Sequence, residues 1–336
     1  MTPRVRFVCL VLAGVVSAGV GAVADRWLVP RTPDGHPDFQ GVWANNTATP
    51  LQRPKQWEGK ERLTDAEVAD LQTFAARISE NDGDAQFGDG FILAILDGIE
   101  KPVSYDPATG NYNQFWVVDR DWHDRRTSLI TDPPDGKVPP MTPEAQTRRA
   151  AEIAFRKEHA FEDPEVFPLG ERCVNFGIPR LQAAYNSYLQ IVQTPGYVVI
   201  MSEMAHDARV IPMDGRPHLD SRLRRWNGDS RGHWEGDTLV IDTTNFSAKS
   251  DFMGSHENLH LTERLTRVSA EILDYEFTVD DPTTWTRPWT AMIPLRFKNE
   301  LIYEYACHEG NTAMEGMLRG HRYEEREAAR TSSRPQ

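Results

Sequence analysis

The residues with the clearest potential for chemistry lie in a segment, 259–281, whose alternation predicts a β-hairpin. Its polar positions include His260 and Arg264 on the first strand and Glu276 and Asp280 on the second. If a three-residue loop joins the strands, His260 faces Asp280 and Arg264 faces Glu276. Directly opposed Cβ atoms lie about 5 Å apart, so each pair is within side-chain reach. A histidine beside a carboxylate suits proton transfer near neutral pH, and an arginine suits an anionic oxygen.

The polar face of this hairpin has two interpretations. Leu261 and Tyr275 alternate with the polar residues and predict that the opposite face packs in a core. The polar face is then either solvated, as one face of an antiparallel sheet commonly is, or the wall of a cavity. On a solvated face Arg264 forms only a surface ion pair. In a cavity His260 is a general base and Asp280 orients it.

Four further residues are candidates for a site around His260. His206 lies at a bend between two predicted strands, and it is either a second acid–base residue or a solvated loop histidine. Arg209, Asp242 and Tyr305, together with Glu276, are candidates for substrate binding. A half-solvated strand explains Asp242 equally well, and core packing is the ordinary role of Tyr305.

The sequence predicts no cofactor and no metal. It has no G-x-S-x-G, G-x-G-x-x-G, Walker lysine or H-E-x-x-H motif, which disfavours serine-hydrolase, nicotinamide and nucleotide chemistry. A metal site of His206, His256, His260 and His308 is conceivable on a β-scaffold. However, the spacing of His256 and His260 is helical and falls at the junction of a loop and a strand, where it brings no ligands together.

Residues 1–24 have the features of an export signal, with Arg4 and Arg6, an apolar core and a small-residue cleavage site. Removing the two arginines leaves 35 basic and 50 acidic residues, a net charge of −15. Such a charge repels nucleic acid and anionic membranes, and no later apolar run is long enough to span a bilayer. We therefore expect an exported, soluble protein in the periplasm or outside the cell, with a small-molecule ligand and an undetermined oligomeric state.

Export also bears on the cysteines. Without the signal, Cys173 and Cys307 are the two that remain. In an oxidising compartment they can form one disulfide, although two buried free thiols are the alternative. We predict the disulfide.

The remaining elements must position the hairpin. A capping box at Thr64 and Glu67 predicts one helix, and Thr142 with Pro143 predicts another that runs to about residue 158. Short strands are expected at 115–118 and 127–131. From residue 187 about nine strands follow, ending with one at 301–308, and turn residues separate them.

We therefore predict a mainly β fold, an antiparallel curled sheet or lipocalin-like barrel at 187–321 with a helical N-terminal portion at 25–186 wrapped around it. So many antiparallel strands in succession favour a curled or closed sheet, because long edges are not left exposed. Residues 322–336 are expected to be a flexible tail.

Several motifs resemble those of a large family of exported, mostly uncharacterised bacterial proteins, and the Gly41-Val42-Trp43 segment is also similar to the opening of lipocalin-type barrels. The motifs are RTPDGHPD at 31–38, GVW at 41–43, RRTSLI at 125–130, DPPDG at 132–136, QTPGY at 193–197, MDGRPH at 213–218, WEGDTLV at 234–240, DDP at 280–282 and TRPW at 286–289. The resemblance implies export and a β-rich fold, and it implies no set of catalytic residues.

These observations favour a cofactor-free lyase or isomerase that acts on a small, partly aromatic molecule by acid–base catalysis. The expected catalytic residues are His260, Asp280, Arg264 and His206. The alternative is a periplasmic binding protein for a lipophilic or aromatic ligand, which would use the same cavity without catalysis. A buried histidine paired with a carboxylate would favour the enzyme, because a binding protein needs no titrating pair.

Overall fold

We analysed a computed structural model of the chain. The structure describes residues 27–80, 84–102, 117, 119–181, 183 and 185–332. The predicted export signal at 1–24 lies outside these residues, as does nearly all of the predicted strand at 115–118.

In the part of the chain that the structure describes, nine antiparallel strands form a nearly closed barrel. The order around the barrel is β5-β4-β3-β1-β10-β9-β8-β7-β6, and β2 pairs separately with the start of β10. The strands are β1 (Gly41–Ala44), β2 (Ile130–Asp132), β3 (Tyr188–Thr194), β4 (Tyr197–Ser202), β5 (Asp207–Pro212), β6 (Asp229–Glu235), β7 (Thr238–Thr244), β8 (His260–Arg267), β9 (Ile272–Asp280) and β10 (Trp289–Lys298). The predicted β-rich, curled architecture is therefore confirmed.

The barrel closes where β5 and β6 lie side by side. Among the described strands these two are the ends of the hydrogen-bonded order, and they contact each other without continuing the ladder. A Cβ atom on Gly232 of β6 would lie 2.4 Å from the sulfur of Met213 and 2.9 Å from Ile211 of β5. A side chain at residue 232 would therefore force the two strands apart.

The central hairpin has the predicted register. His260 pairs with Asp280, Arg264 pairs with Glu276, and the Val268 amide donates to the Ile272 carbonyl at the loop. The alternate residues of β8 and β9 are buried in the barrel core. Apolar burial of about 1.5–3 kcal/mol per large side chain would be lost on a one-residue slip, and this fixes the register.

The two ends of the barrel differ. Short turns close one end, at 195–196, 236–237 and 268–271. We call the other end the loop end. It carries the connections 45–187, 203–206, 245–259 and 281–288. The segment 213–228 runs from the turn end to the loop end along the wall. The loop end therefore gathers most of the irregular chain, where binding sites on barrels are commonly built.

The Gly-x-Trp segment of β1 is buried in the core. Gly41 has a φ of +122°, and a Cβ atom there would lie 2.7 Å from the ring of Phe297. Trp43 is fully buried and its Nε1 donates to the carbonyl of Phe39 at 2.8 Å. The glycine is needed for both the backbone conformation and the close approach of β10.

Among the described residues, three α-helices lie in the long connection 45–187 and a fourth follows the barrel. They are α1 (Asp65–Glu80), α2 (Asp89–Leu96), α3 (Pro143–Glu158) and α4 (Thr312–Ser332). The predicted caps of α1 and α3 are present: Thr64 and Glu67 bond reciprocally, and Thr142 accepts from the Ala145 amide. The sequence does not predict α2. It packs with α1 in a small apolar cluster separate from the barrel core.

One prediction about the C-terminal region is wrong, and a second segment there is helical. Residues 301–308 form no strand, because both edges of β10 are already occupied by β9 and β1. Residues 322–332, expected in a flexible tail, continue α4. This helix is rich in good helix formers and carries ion pairs three or four residues apart, such as Glu315 with Arg319 and Arg322 with Glu325.

Cys173 and Cys307 form the predicted disulfide. It joins the chain after β10 to the segment that precedes β3. Among the described helices none is both long and apolar enough to cross a bilayer.

Candidate active site

The polar face of the central hairpin lies on the outside of the barrel. The side chain of His260 is 45% exposed and that of Arg264 is 38% exposed. Asp280 faces His260 across the ladder, but the ring of His260 bonds instead to Asp242 on the neighbouring strand β7, at 2.5 Å from Nε2 to Oδ2. Of the two interpretations of this face, the structure therefore shows the partly solvated outer wall.

His260 belongs to a hydrogen-bonded chain that we call the histidine–aspartate network, formed by His218, Asp229, Asp242 and His260. Asp242 Oδ1 lies 2.7 Å from His218 Nε2, and His218 Nδ1 lies 3.2 Å from Asp229 Oδ2. Both ring nitrogens of His218 thus face carboxylates, and they can donate to both only when the ring is protonated. The network joins the wall strands to the segment 213–228.

The charges of the network shift its ionisation equilibria. The hydrogen bond to Asp242 raises the pKa of His260 above its ordinary value, against the opposing effect of burial. The same bond holds the pKa of Asp242 below its ordinary value. Burial would raise the pKa of Asp229, but donors from Leu219 and Arg231 bring the net pKa below its ordinary value. The network therefore joins histidines and aspartates on the outer wall of the barrel, and it stabilises the fold over a limited pH range.

The other predicted residues do not gather around His260. Arg264 pairs with Glu235 of β6 at 2.8 Å, rather than forming the ion pair with Glu276 that its register suggested. His206 lies in the 203–206 connection, where the amide of Tyr305 donates to its ring at 3.1 Å. Its neighbours are therefore in the segment after β10.

Arg209 lies inside the barrel. Its guanidinium donates to both oxygens of Glu263, at 2.5 and 2.8 Å, and Tyr275 donates to Glu263 Oε1 at 2.7 Å. Glu263 is on the face of β8 that was predicted to pack, and its side chain is 1% exposed. Burial works to lower the pKa of Arg209, but the charge of Glu263 outweighs it and the net pKa is raised. Burial, aided by Glu263, raises the pKa of Tyr275 well above its ordinary value.

The space beside this buried pair is small. The interior cavity that Arg209 and Tyr275 line has a volume of about 30 Å³, which is about the volume of one water molecule. Arg209 is therefore a structural residue of the barrel interior, and a lipophilic ligand does not fit there.

A much larger cavity, of about 540 Å³, opens at the loop end, and we call it the mouth pocket. Its walls come from α3 and from the segments 165–178 and 246–259. Gly177 and Ile178 line both this pocket and the small interior cavity, so they form the floor between the two. The pocket has the size of a small-molecule site. Its described lining contains the aromatic residues Phe167, Phe176, Trp226, Phe246 and Phe252.

A histidine and a carboxylate meet in the wall of the mouth pocket. His256 Nε2 lies 3.0 Å from Glu152 Oε1, and the side chain of His256 is only 17% exposed. Glu152 reaches the pocket because α3 is anchored to the loops beneath it. Arg148 of the same helix donates to the Gly254 carbonyl at 3.1 Å and to the Thr284 hydroxyl at 3.0 Å.

His256 is positioned by the residue before it. The hydroxyl of Ser255 donates to Asp281 at 2.5 Å, and Asp281 is itself buried and bonded to Thr283 and Thr284. These donors hold the pKa of Asp281 below its ordinary value although burial alone would raise it. The second acidic residue of the DDP motif therefore fixes the loop that carries His256.

The contacts of His256 assign different roles to its two ring nitrogens. Its Nδ1 lies 2.6 Å from the carbonyl oxygen of Ser250, which can only accept, so Nδ1 carries a hydrogen. In a neutral ring Nε2 would then be a lone pair facing a carboxylate oxygen. The contact with Glu152 is a hydrogen bond when either His256 Nε2 or the Glu152 carboxyl carries a proton.

The second oxygen of Glu152 is buried and has no hydrogen-bond partner in the described part of the chain. Arg149 lies 3.7 Å away from it, as an ion pair beyond hydrogen-bond distance. Buried polar atoms are normally satisfied, and an exception in a pocket is a feature of functional sites. The arrangement can accept and return a proton.

The sequence indicates His256 only as a possible metal ligand, and no motif indicates Glu152 or His218. A separation of 104 residues hides the His256–Glu152 pair, since no local pattern connects a helix and a distant loop. Within the described residues, no group of three or more His, Cys, Asp or Glu side chains is placed to hold a metal ion.

Comparisons with protein-family models, with curated proteins and with solved structures found no match to this chain.

Proposed function

We propose that the chain is an exported acid–base catalyst, a lyase or isomerase, which acts in the mouth pocket on a small, partly aromatic molecule. The observation that carries this proposal is the close contact between His256 Nε2 and Glu152 Oε1 in the wall of that pocket, with His256 Nδ1 beside the Ser250 carbonyl. The catalytic role thus moves from His260, on the outer wall, to His256.

The chemistry of the pair suits reactions that remove a proton and return it. The Ser250 carbonyl fixes the tautomer of His256, so a proton that passes to or from the pair moves through Nε2 and the carboxylate of Glu152. A positioned acid or base of this kind contributes about 10²–10⁴-fold to a rate. The aromatic lining provides flat apolar surfaces for the body of the substrate.

Hydrogen exchange with solvent tests the proposal before the substrate is identified, because lyases and isomerases of this kind make and break C–H bonds. The purified protein is incubated in D₂O with a panel of small aryl ketones and aryl-substituted carboxylic acids, and deuterium incorporation is followed by NMR. We expect exchange into at least one compound, lost roughly 100-fold or more in His256→Gln and in Glu152→Gln.

The matched control is His159→Gln. His159 follows α3, is partly exposed and pairs with Glu162, so it resembles His256 in partner type but lies outside the pocket lining. Exchange should be unchanged in this variant. Exchange that persists in both pocket variants would place the chemistry elsewhere and refute the proposal.

A binding protein without catalysis is the second candidate, and the size and aromatic lining of the mouth pocket favour it. It would bind a compound of the panel in the mouth pocket with no deuterium exchange. Calorimetric titration with the same compounds distinguishes the binding protein from the enzyme. A binding protein would keep its affinity in Glu152→Gln to within about threefold, and it would exchange deuterium into no compound.

A further inference from the structure

A second cavity at the loop end shares no lining residue with the mouth pocket. It has a volume of about 420 Å³, and we call it the Arg120 pocket. Its wall is mostly apolar and includes Phe87, Phe91, Leu129 and Leu181. It lies between the start of α2 and the segments that follow β1 and precede β3.

One cationic group lies in this wall without a counter-ion. Arg120 stacks on Phe91, with its guanidinium carbon 3.9 Å from the ring centroid, and its Nη2 donates to the Gln86 carbonyl. Its Nε and Nη1 are buried and have no acceptor among the residues that the structure describes. Among the described residues no carboxylate forms an ion pair with it, and burial lowers the pKa of Arg120 to about 10, which leaves it charged at neutral pH.

The two unsatisfied buried nitrogens distinguish Arg120 from the other arginines in the described residues. Arg209 is neutralised by Glu263, Arg126 by Asp124, and Arg53 donates to a hydroxyl and two carbonyls. Leaving a buried charged donor unsatisfied is costly, so such a group indicates a missing partner. A second unsatisfied atom, the buried hydroxyl of Thr49, lies in the same wall.

We propose that the Arg120 pocket binds a small monocarboxylate with an apolar body. The carboxylate accepts from Nε or Nη1 of Arg120, and the apolar body lies against the phenylalanine and leucine side chains of the wall. This binding is independent of the function proposed for the mouth pocket.

The charge around the pocket favours a single negative charge over a phosphate dianion. Arg120 is the one cationic side chain among the described lining residues, and Asp89 is also in the wall. Asp89 Oδ1 accepts from the Leu51 amide at 2.7 Å, and burial raises the pKa of Asp89. A dianion would exceed the charge of Arg120 and would be repelled by Asp89, whereas one carboxylate balances one guanidinium.

Calorimetric titration with octanoate and octan-1-ol tests the proposal on the full mature chain. The two probes share an apolar body and differ in charge. We expect octanoate to bind about 10–100-fold more tightly than octan-1-ol. Arg120→Met should remove this preference, whereas Arg77→Met, on the exposed face of α1, should retain it.

Thermal melting tests ligand binding to the unsubstituted protein and also checks that the variant is folded. Octanoate should raise the melting temperature of the unsubstituted protein and octan-1-ol should not, and Arg120→Met should melt no lower than the unsubstituted protein without ligand, because it removes an unpaired charge. Equal binding of the two probes, no binding of octanoate, or loss of binding in His256→Gln rather than in Arg120→Met would each overturn the proposal.

Discussion

The ion pair inside the barrel allows a quantitative prediction. Glu263→Gln keeps the shape of the side chain and an acceptor for Tyr275, but it leaves the guanidinium of Arg209 without its bonded carboxylate. Removing one partner of a buried pair costs about 3–5 kcal/mol. Asp207 also favours the charged form of Arg209, so we expect a loss near the lower limit, about 3 kcal/mol.

Urea unfolding followed by circular dichroism measures this loss. With an m-value of about 3 kcal/mol/M, a loss of about 3 kcal/mol lowers the midpoint by about 1 M. The matched control is Glu276→Gln on the outer face of β9, which should change stability by less than about 0.5 kcal/mol. The double variant Arg209→Met/Glu263→Gln leaves no unpaired guanidinium and should regain roughly half of the loss. Equal and small losses of stability in Glu263→Gln and Glu276→Gln would refute the reasoning.

Two further predictions concern pH and the cysteines. The pKa of His260 is raised from 6.5 and that of Asp242 is lowered from 3.8, so their contact contributes fully between these two pH values. It is lost as the pH rises through the folded pKa of His260 and as the pH falls through the folded pKa of Asp242. Asp242→Asn should therefore destabilise the protein more at about pH 5 than at about pH 9. The loss of unfolding free energy should be less than about 1 kcal/mol, because His260 is half exposed. A urea midpoint lowered equally at both pH values would contradict this prediction. Thiol titration of the unfolded, unreduced mature chain should find no free thiol from Cys173 or Cys307, and reduction should lower the unfolding free energy by at most about 5 kcal/mol.

The local elements and the hairpin could be predicted from the sequence because short-range rules determine them. The caps of α1 and α3 depend on residues three positions apart, and the register of β8 and β9 depends on alternation around a three-residue loop. By contrast, residues 301–308 do not form the predicted strand, because a strand there would need a free edge of β10 to pair with. Whether β10 has a free edge is a property of the whole barrel, in which β1 returns from the start of the chain.

The direction in which a polar face points is also a property of the whole sheet. Alternation assigned His260 and Arg264 to one face and the leucines to the other, and this is what the structure contains. Alternation does not say which face is concave. One signal did exist: Glu263 lies among leucines on the packed face, and a charge at such a position requires a buried partner. That requirement indicates a polar pair in the barrel interior, although it does not identify Arg209.

The His256–Glu152 pair could not be predicted for a further reason. Its geometry depends on two anchors that are each distant in sequence: Arg148 holds α3 against the 250–256 loop, and Asp281 holds Ser255 beside His256. Neither anchor touches the pocket chemistry, and each has an ordinary role when read locally, as a helix-surface cation and a turn residue. If Asp281 positions His256 in this way, Asp281→Asn should weaken the Ser255 contact and reduce exchange in the mouth pocket while Glu152 stays in place on its helix. The function proposed here therefore depends on how the barrel brings its loops together more than on any motif within them.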